Sequence, residues 1–310
     1  MWGRVGGIGM RNVMSEQRGR AGMRMLVAMA HPDDESFGMA GTIAKYASEG
    51  VDISLICATN GDVGTADPEY MEGYSSVAEM RLEELRCAAE TLGFSALFTF
   101  GYRDSGMPGS PDNDHPASLH TADLGEVTRR IVEVIRRVRP HVVVTFDPYG
   151  GYGHPDHLKM HQATTRAFHA AADPGTYPEQ IAGGLAVYQP QKLYYTTFDR
   201  CGLKLLVRLM PLLGMDPEHL GRNGDINFRA VAEHALPIHA YITTRQYAKQ
   251  AEKARLCHAS QLGSFGRPNL VQRLRRLFTG LYTETYMRAY PPVDGQQVRE
   301  TDLFEGITLD

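Results

Sequence analysis

The sequence predicts an α/β fold: a mostly parallel sheet sandwiched between two layers of helices, with a smaller C-terminal region added. Two observations predict it. Apolar strand-like runs alternate with amphipathic helical runs from Met25 to about Phe198, the pattern that builds βαβ units. The histidine- and aspartate-bearing turns "HPDD" and "GHPDH" each follow such an apolar run, and open parallel sheets bind ligands beyond the carboxyl ends of their strands.

Each element has its own signal. "MLVAMA" is a buried strand ended by His-Pro, and "SFGMAGTIAKYASEG" is one helix capped at Gly50. "VDISLICATNGD" is a second strand closed by an Asn-Gly-Asp turn. "SVAEMRLEELRCAAETLG" has helical spacing and a glycine stop at Gly93, the residue type that tolerates a left-handed C-cap. "ALFTFGYRD" is a third strand, and "LGEVTRRIVEVIRRVRP" a helix stopped at Pro140. "HVVVTFDP" is a fourth strand leading into a glycine-rich loop, "HLKMHQATTRAFHAAA" a helix and "KLYYTTF" a further strand. Three layers of this kind are Rossmann-like in layout. Beyond Cys201 the pattern loosens. "CGLKLLVRLMPLLGM" is a packed amphipathic helix broken at Pro211, "TRQYAKQAEKARLCHASQLG" a helix, and "RRLFTGLYTETYMRAY" a helix-to-strand passage. The expected division is a disordered tail over 1–22, a catalytic core over 23–200, and a region over 201–310 that completes the pocket and packs on the core.

Composition excludes several classes. The chain has 310 residues, 43% of them hydrophobic, and a net charge of −4, so it can bury a large core but lacks the basic face of a nucleic-acid binder. No run approaches a membrane span, and the Gly- and Arg-rich start lacks the apolar block of a signal peptide. Cys57, Cys87, Cys201 and Cys257 form no CxxC pair and are expected to be reduced, mostly buried thiols of a cytoplasmic protein. Oligomeric state, homo-oligomer included, stays open.

The two turns share one grammar. "HPDD" supplies His31, Asp33 and Asp34, and "GHPDH" supplies His154, Asp156 and His157. Alone, the first turn reads equally well as a helix start, with Asp33 as N-cap and the following acids complementing the helix dipole. As a pair behind two strands of one sheet, the turns can converge. Their nitrogen and oxygen donors then suit zinc, which in catalytic sites takes three protein ligands and an open position. Metal coordination lowers the pKa of water toward ~7, and a nearby carboxylate and histidine serve proton transfer. Spacing alone leaves His154 open as a fourth ligand.

On "AHPDDE", "GHPDH", "MRLEELRCAAETLG", "GYRDSGM" and "KARLCHASQLG", the chain resembles the LmbE-like (GlcNAc-phosphatidylinositol de-N-acetylase, PIG-L) superfamily of zinc-dependent deacetylases. The likeness runs from about Met23 to the C-terminus, and "GGYGHPDH" looks closest to the mycothiol branch, its deacetylase and its conjugate amidase. The resemblance implies that His31, Asp34 and His157 bind zinc. It also implies that Asp33 is the general base, that His154 stabilises the oxyanion and protonates the amine, and that Asp156 orients His154. Arg81, Asp104 and Tyr152 become expected substrate contacts, and the turn of Gly61 and Gly64 a pocket wall. The implied reaction is hydrolysis of the acetamide of an N-acetylglucosamine conjugate or a related small N-acyl compound. The alternative is cleavage of the amide of a thiol conjugate. A magnesium phosphoryl-transfer site and a non-catalytic sugar receptor fit less well, since the first wants a DxD arrangement and the second needs neither Asp33 nor His154.

Other histidines carry weaker signals. His157 and His161 stand four apart, but Leu158 occupies the place of the glutamate in a HExxH motif, which rejects that reading. His258 could face the pocket or cap a packed helix, packing being the favoured reading, and His115, His120 and His169 are expected to lie on the surface.

Overall fold

The computed structural model describes residues 20–197, 199–220, 224, 226–262, 282–293 and 298–309. In chain order the strands are β1 (Arg24–Met29), β2 (Asp52–Thr59), β3 (Ala96–Tyr102), β4 (Val142–Thr145), β5 (Lys192–Thr197), β6 (Ala240–Thr243) and β7 (Thr283–Tyr290). The helices are α1 (Asp34–Gly38), α2 (Ala40–Ser48), α3 (Val77–Leu92), α4 (Leu124–Val138), the short turn α5 (Gly150–Gly153), α6 (Pro155–Ala170), α7 (Pro178–Ala182), α8 (Arg200–Leu209), α9 (Phe228–His234), α10 (Ala248–Cys257) and α11 (Ala259–Leu262).

The sheet order is β3-β2-β1-β4-β5-β7-β6. β1 to β5 pair in parallel, while β7 runs antiparallel to both β5 and β6. β1 is buried on both faces from Met25 to Met29, as a strand covered by helices on each side must be. Its Leu26 pairs with Ser54 of β2 on one side and with Val143 of β4 on the other. The chain winds outward from β1 through β2 to β3 and then returns to β4, so the crossovers change direction there. Right-handed crossovers then put α2 and α3 on one face and α4 and α6 on the other. α10 packs on α2 and α3, and α4 packs on α6. The crevice beyond the carboxyl ends of β1 and β4 is the topological switch point, and both histidine turns open into it.

Local signals explain most helix boundaries. Ser76 caps α3 by accepting from Glu79 N–H, and Gly93 ends it in the left-handed region. Asp123 caps α4 on Glu126 N–H. Where one helix was expected through "SFGMAGTIAKYASEG", the chain breaks at Met39. The reason is tertiary: the Glu284 carboxylate, from β7, accepts from Gly41 N–H at 2.9 Å and Thr42 N–H at 2.6 Å, giving α2 an N-terminus of its own. The late helix likewise breaks at His258, between α10 and α11. Most of the expected tail, and residues 275–281 of the helix-to-strand passage, lie outside the described residues. Arg20 is described, and its guanidinium pairs with Glu49 at 2.7 Å and Asp302 at 2.5 Å.

The cysteine expectation needs correcting. Cys87 of α3 and Cys257 of α10 form a disulfide, their Cα atoms 5.7 Å apart although 170 residues separate them in sequence. Packing of α10 against α3 makes the pair, and spacing along the chain could not reveal it. Cys57 is free and buried; the Cys201 side chain is outside those described. Among the described residues, no helix is long and apolar enough to cross a membrane.

Candidate active site

The β1 turn builds the first half of the site. Asp34 Oδ2 accepts from the main-chain N–H groups of Ala30 at 3.2 Å and His31 at 2.7 Å, which turns the carboxylate back over the strand end. Asp33 stands at φ 133°, ψ −23° and its side chain caps no helical N–H. The ordinary N-cap reading of this residue therefore fails, and its backbone sits where a side chain is strained. Its carboxylate accepts from Arg81 Nη2 at 3.0 Å, and the same nitrogen donates to the Pro32 carbonyl at 2.6 Å.

The loop after β4 builds the second half. Asp147 Oδ1 accepts from the N–H groups of Tyr149 and Gly151, both at 2.9 Å, and this folds the glycine-rich segment back. The Gly150 carbonyl then accepts from His157 Nδ1 at 3.0 Å, while the Phe146 ring stacks on the His157 imidazole at 3.9 Å. His154 is the N-cap of α6, with Pro155 at the first helical position, where its missing N–H costs nothing. Its Nδ1 accepts from Asp156 N–H at 3.2 Å.

These two halves bring three donor atoms together. His31 Nδ1 lies 3.1 Å from His157 Nε2 and 3.6 Å from Asp34 Oδ2, and His157 Nε2 lies 3.3 Å from Asp34 Oδ1. Ligand atoms about 2.0–2.1 Å from a tetrahedral ion stand ~3.4 Å apart, so the separations fit a metal. The tautomers agree. In the neutral form that binds a metal, His31 Nε2 donates to Asp156 Oδ2 at 3.1 Å and His157 Nδ1 to Gly150 O, which directs the lone pairs of His31 Nδ1 and His157 Nε2 to one point. That point suits a cation, a metal ion or in its absence the proton held on His31, and outer hydrogen bonds of this kind orient metal-binding histidines. Among the described residues, the ligand atoms of His31, His154 and His157, and those of His31, Asp104, His154 and Asp156, also lie close enough together to hold a metal ion.

Charge is concentrated around it. Burial would lower the His31 pKa, but Asp104, Asp156 and Asp34 outweigh it and hold the ring well above its ordinary value. Burial would raise Asp34, yet His157 and His31 hold it well below the usual carboxylate range. Burial lifts Asp33 to about 6 against the pull of Arg81, with Asp34 adding to the rise. Burial, then His31 and His157, press His154 well below its ordinary value and keep it neutral.

The remaining expected site residues are placed as follows. Asp156 is fully buried and reaches His154 only through its main chain. Its carboxylate lies 4.0 Å from His154 Nδ1 and is taken up by His31 and by the N–H and hydroxyl of Ser105. Arg81 is buried and gives Nη1 to the Gly61 carbonyl at 3.0 Å as well as Nη2 to the Asp33 loop. A Cβ at Gly61 or Gly64 would sit 2.3 or 2.7 Å from the guanidinium, so this turn closes over Arg81. Asp104 lies 3.5 Å from His31 Nε2 and 3.8 Å from His154 Nε2, and those rings hold it below the usual carboxylate range despite its burial. Tyr152 sets its ring edgewise on His157, and burial pushes its hydroxyl pKa up. A pocket of about 420 Å³ opens beside His154 and Tyr152, walled by Val63, Gly64, Met107 and, from the C-terminal region, Ile226 and Gln261.

Sequence reasoning missed Glu35 and underrated His258. Both are fully buried, and His258 Nε2 donates to Glu35 Oε1 at 2.7 Å. The motif "AHPDDES" contains Glu35, but an acid in a first helical turn looks like an ordinary dipole complement. His115, His120 and His169 are exposed as expected. His161 turns to the Phe146 carbonyl at 2.9 Å.

Comparison with known proteins agrees with this geometry. The profile of the family PIG-L: GlcNAc-PI de-N-acetylase matches residues 26–168, the span that holds both turns. A 1D-myo-inositol 2-acetamido-2-deoxy-alpha-D-glucopyranoside deacetylase of Rhodococcus erythropolis is 35% identical over 303 residues, covering 92% of this chain and 97% of that one. Its namesake from Geodermatophilus obscurus is 36% identical over 248 residues, 77% of this chain and 83% of the other. In three dimensions the chain is similar to N,N'-diacetylchitobiose deacetylase from Pyrococcus horikoshii, with a TM-score of 0.61, 20% identity, and 88% and 86% of the two chains covered. The chain belongs to the PIG-L (GlcNAc-PI de-N-acetylase) family of amide-hydrolysing deacetylases.

Proposed function

We propose that this deacetylase removes the acetyl group from an N-acetylglucosamine conjugate with a small polyol aglycone of the inositol type, using zinc held by His31, Asp34 and His157. The observation that carries the reading is the triangle of His31 Nδ1, Asp34 and His157 Nε2, at 3.1–3.6 Å, with the Asp33 carboxylate near enough to interact with the charges of Asp34 and His31. The substrate class follows the relatives named as inositol-linked acetamidodeoxyglucopyranoside deacetylases, two of which align over more than nine-tenths of this chain.

Zinc bound there supplies a Lewis acid for the acetamide carbonyl and brings the pKa of water toward ~7. The chain's own groups do the rest. Asp33 takes a proton from the attacking water, Arg81 holding its carboxylate in place. His154 faces the developing oxyanion. Because its Nδ1 accepts from Asp156 N–H, the neutral ring carries its proton on Nε2 and donates from there. We read the proton on Asp33 as the one delivered to the departing amine, a step that the resemblance gives to His154. Tyr152 and Asp104 border the reacting centre from the pocket side and beneath His154, and we assign them to holding the substrate.

The test is free-amine release by purified protein from N-acetylglucosaminyl-inositol, from a simple N-acetylglucosaminide and from a thiol-conjugate amide. Hydrolysis of the first, lost on chelation and restored by zinc, is expected. Activity confined to the thiol-conjugate amide would overturn the substrate reading, and amidase activity indifferent to metal would overturn the mechanism.

A further inference from the structure

The strained main chain at Asp33 has two anchors. Arg81 holds the carboxylate, and Glu35 holds the main chain, since Asp33 N–H donates to Glu35 Oε2 at 3.1 Å. Glu35 is in turn fixed by two donors at its other oxygen: Ser36 Oγ at 2.5 Å and His258 Nε2 at 2.7 Å. Ser36 comes from the same turn. His258 comes from 223 residues away, at the break between α10 and α11. Both Glu35 and His258 are 0% exposed, and His258 Nδ1 has no hydrogen-bond partner among the described residues. A buried imidazole that spends its one hydrogen bond on a buried carboxylate is poorly suited to simple packing, where an apolar residue would avoid the desolvation cost. The break in the helix is also sited where it lets the ring reach Glu35.

We propose that His258 is a positioning residue for the reaction: through Glu35 it holds the Asp33 main chain in its left-handed conformation and so aims the Asp33 carboxylate at the attacking water. The inference rests on the reading of Asp33 as the base. It assigns the C-terminal region a part in catalysis, although among the described residues the His258 side chain hydrogen-bonds to Glu35 and to none of the metal ligands. A carboxylate displaced by about 1 Å from its working position costs on the order of 10²-fold in rate. The loss falls on kcat because the metal ligands and the pocket wall are left alone.

The experiment compares H258L, which has no donor, with H258Q, whose amide N–H can reach Glu35, in the zinc-loaded full chain. The expected result for H258L is kcat lowered ~10–100-fold with KM within about twofold and parental zinc content. H258Q is expected to recover most of the loss. Parental kcat in H258L, or equal losses in the two variants, overturns the inference. If H258L does not fold, H258Q is compared with H258N, which is one methylene too short to reach. A kcat about tenfold higher in H258Q supports positioning, and equal values overturn it. Asp33→Asn is measured alongside. If it keeps full activity, the reading of Asp33 as base fails and takes this inference with it. If it is inactive while H258L is fully active, only the role of His258 falls.

Discussion

Arg81 Nη2 donates to the Asp33 carboxylate at 3.0 Å and, from the same nitrogen, to the Pro32 carbonyl at 2.6 Å. One buried guanidinium therefore holds both the side chain of the proposed base and the turn that carries it. A lysine ammonium, a point charge on a flexible stem, could not serve those acceptors and the Gly61 carbonyl together. Arg81→Met removes the cation that opposes the rise in the Asp33 pKa. The acid limb of kcat/KM against pH should then move up by ~1 unit or more, with kcat at the optimum down at least ~10-fold. An unmoved acid limb would show that Arg81 does not act on Asp33.

Burial lifts the Asp33 carboxyl to about 6 against the pull of Arg81. Ionised above that value, it can accept a proton at neutral pH, and activity should fall as pH drops through the acid limb. A dication beside it favours the carboxylate, so zinc should move the titration down. Carbon-13 NMR of labelled aspartate would show a resonance titrating near 6 in metal-free protein and lower after loading. The sign for stability is opposite to that of an ion-paired acid. A carboxyl with a raised folded pKa binds more protons when native, so the Asp33 contribution, read as the stability difference between metal-free parent and Asp33→Asn, should fall as pH climbs from about 4 to about 6. A difference that stays flat across that window would remove the assignment.

Without metal, the raised pKa of His31 keeps a proton on Nδ1, which bridges to His157 Nε2, and a bound metal takes that proton's place. Zinc at 100-fold its Kd should stabilise the fold by about 2.7 kcal/mol, read as a rise in Tm, and chelation should reverse it. His157→Ala should abolish both hydrolysis and the zinc-dependent rise. A variant that keeps the rise would place the metal elsewhere.

The Cys87–Cys257 disulfide closes a span of 170 residues and ties α3, which carries Arg81, to α10, which leads into His258. Disulfides closing long loops stabilise by about 2–4 kcal/mol. Urea unfolding of oxidised against reduced protein, or of the C87S/C257S variant, should show a loss of that order. Mass spectrometry after alkylation should find two more free thiols following reduction. Superimposable unfolding curves would mean that packing of α10 on α3 holds the junction without the bond.

How much was legible in the sequence follows from the range of the forces involved. The parallel core could be read because strand burial and helix amphipathicity are written within ten or twenty residues, and caps such as Ser76 and Gly93 act within one turn. His31, Asp34, His154 and His157 could be read because each stands at the end of an apolar run, and two such runs in one parallel sheet converge. The break at Met39 could not, since its cause is Glu284, 243 residues from Gly41.

The sequence by itself determined the α/β class, the two turns, and the set of side chains available to a metal. Only the tertiary structure decided how they are used. It gave the Asp156 carboxylate to His31 and only its N–H to His154. It turned Arg81 inward under Asp33, joined Cys87 to Cys257, and brought His258 onto Glu35. The physical reason is shared by all of these. A buried charge or polar hydrogen must find a partner, and in this fold the partner is supplied by whichever element packs against it, however distant along the chain.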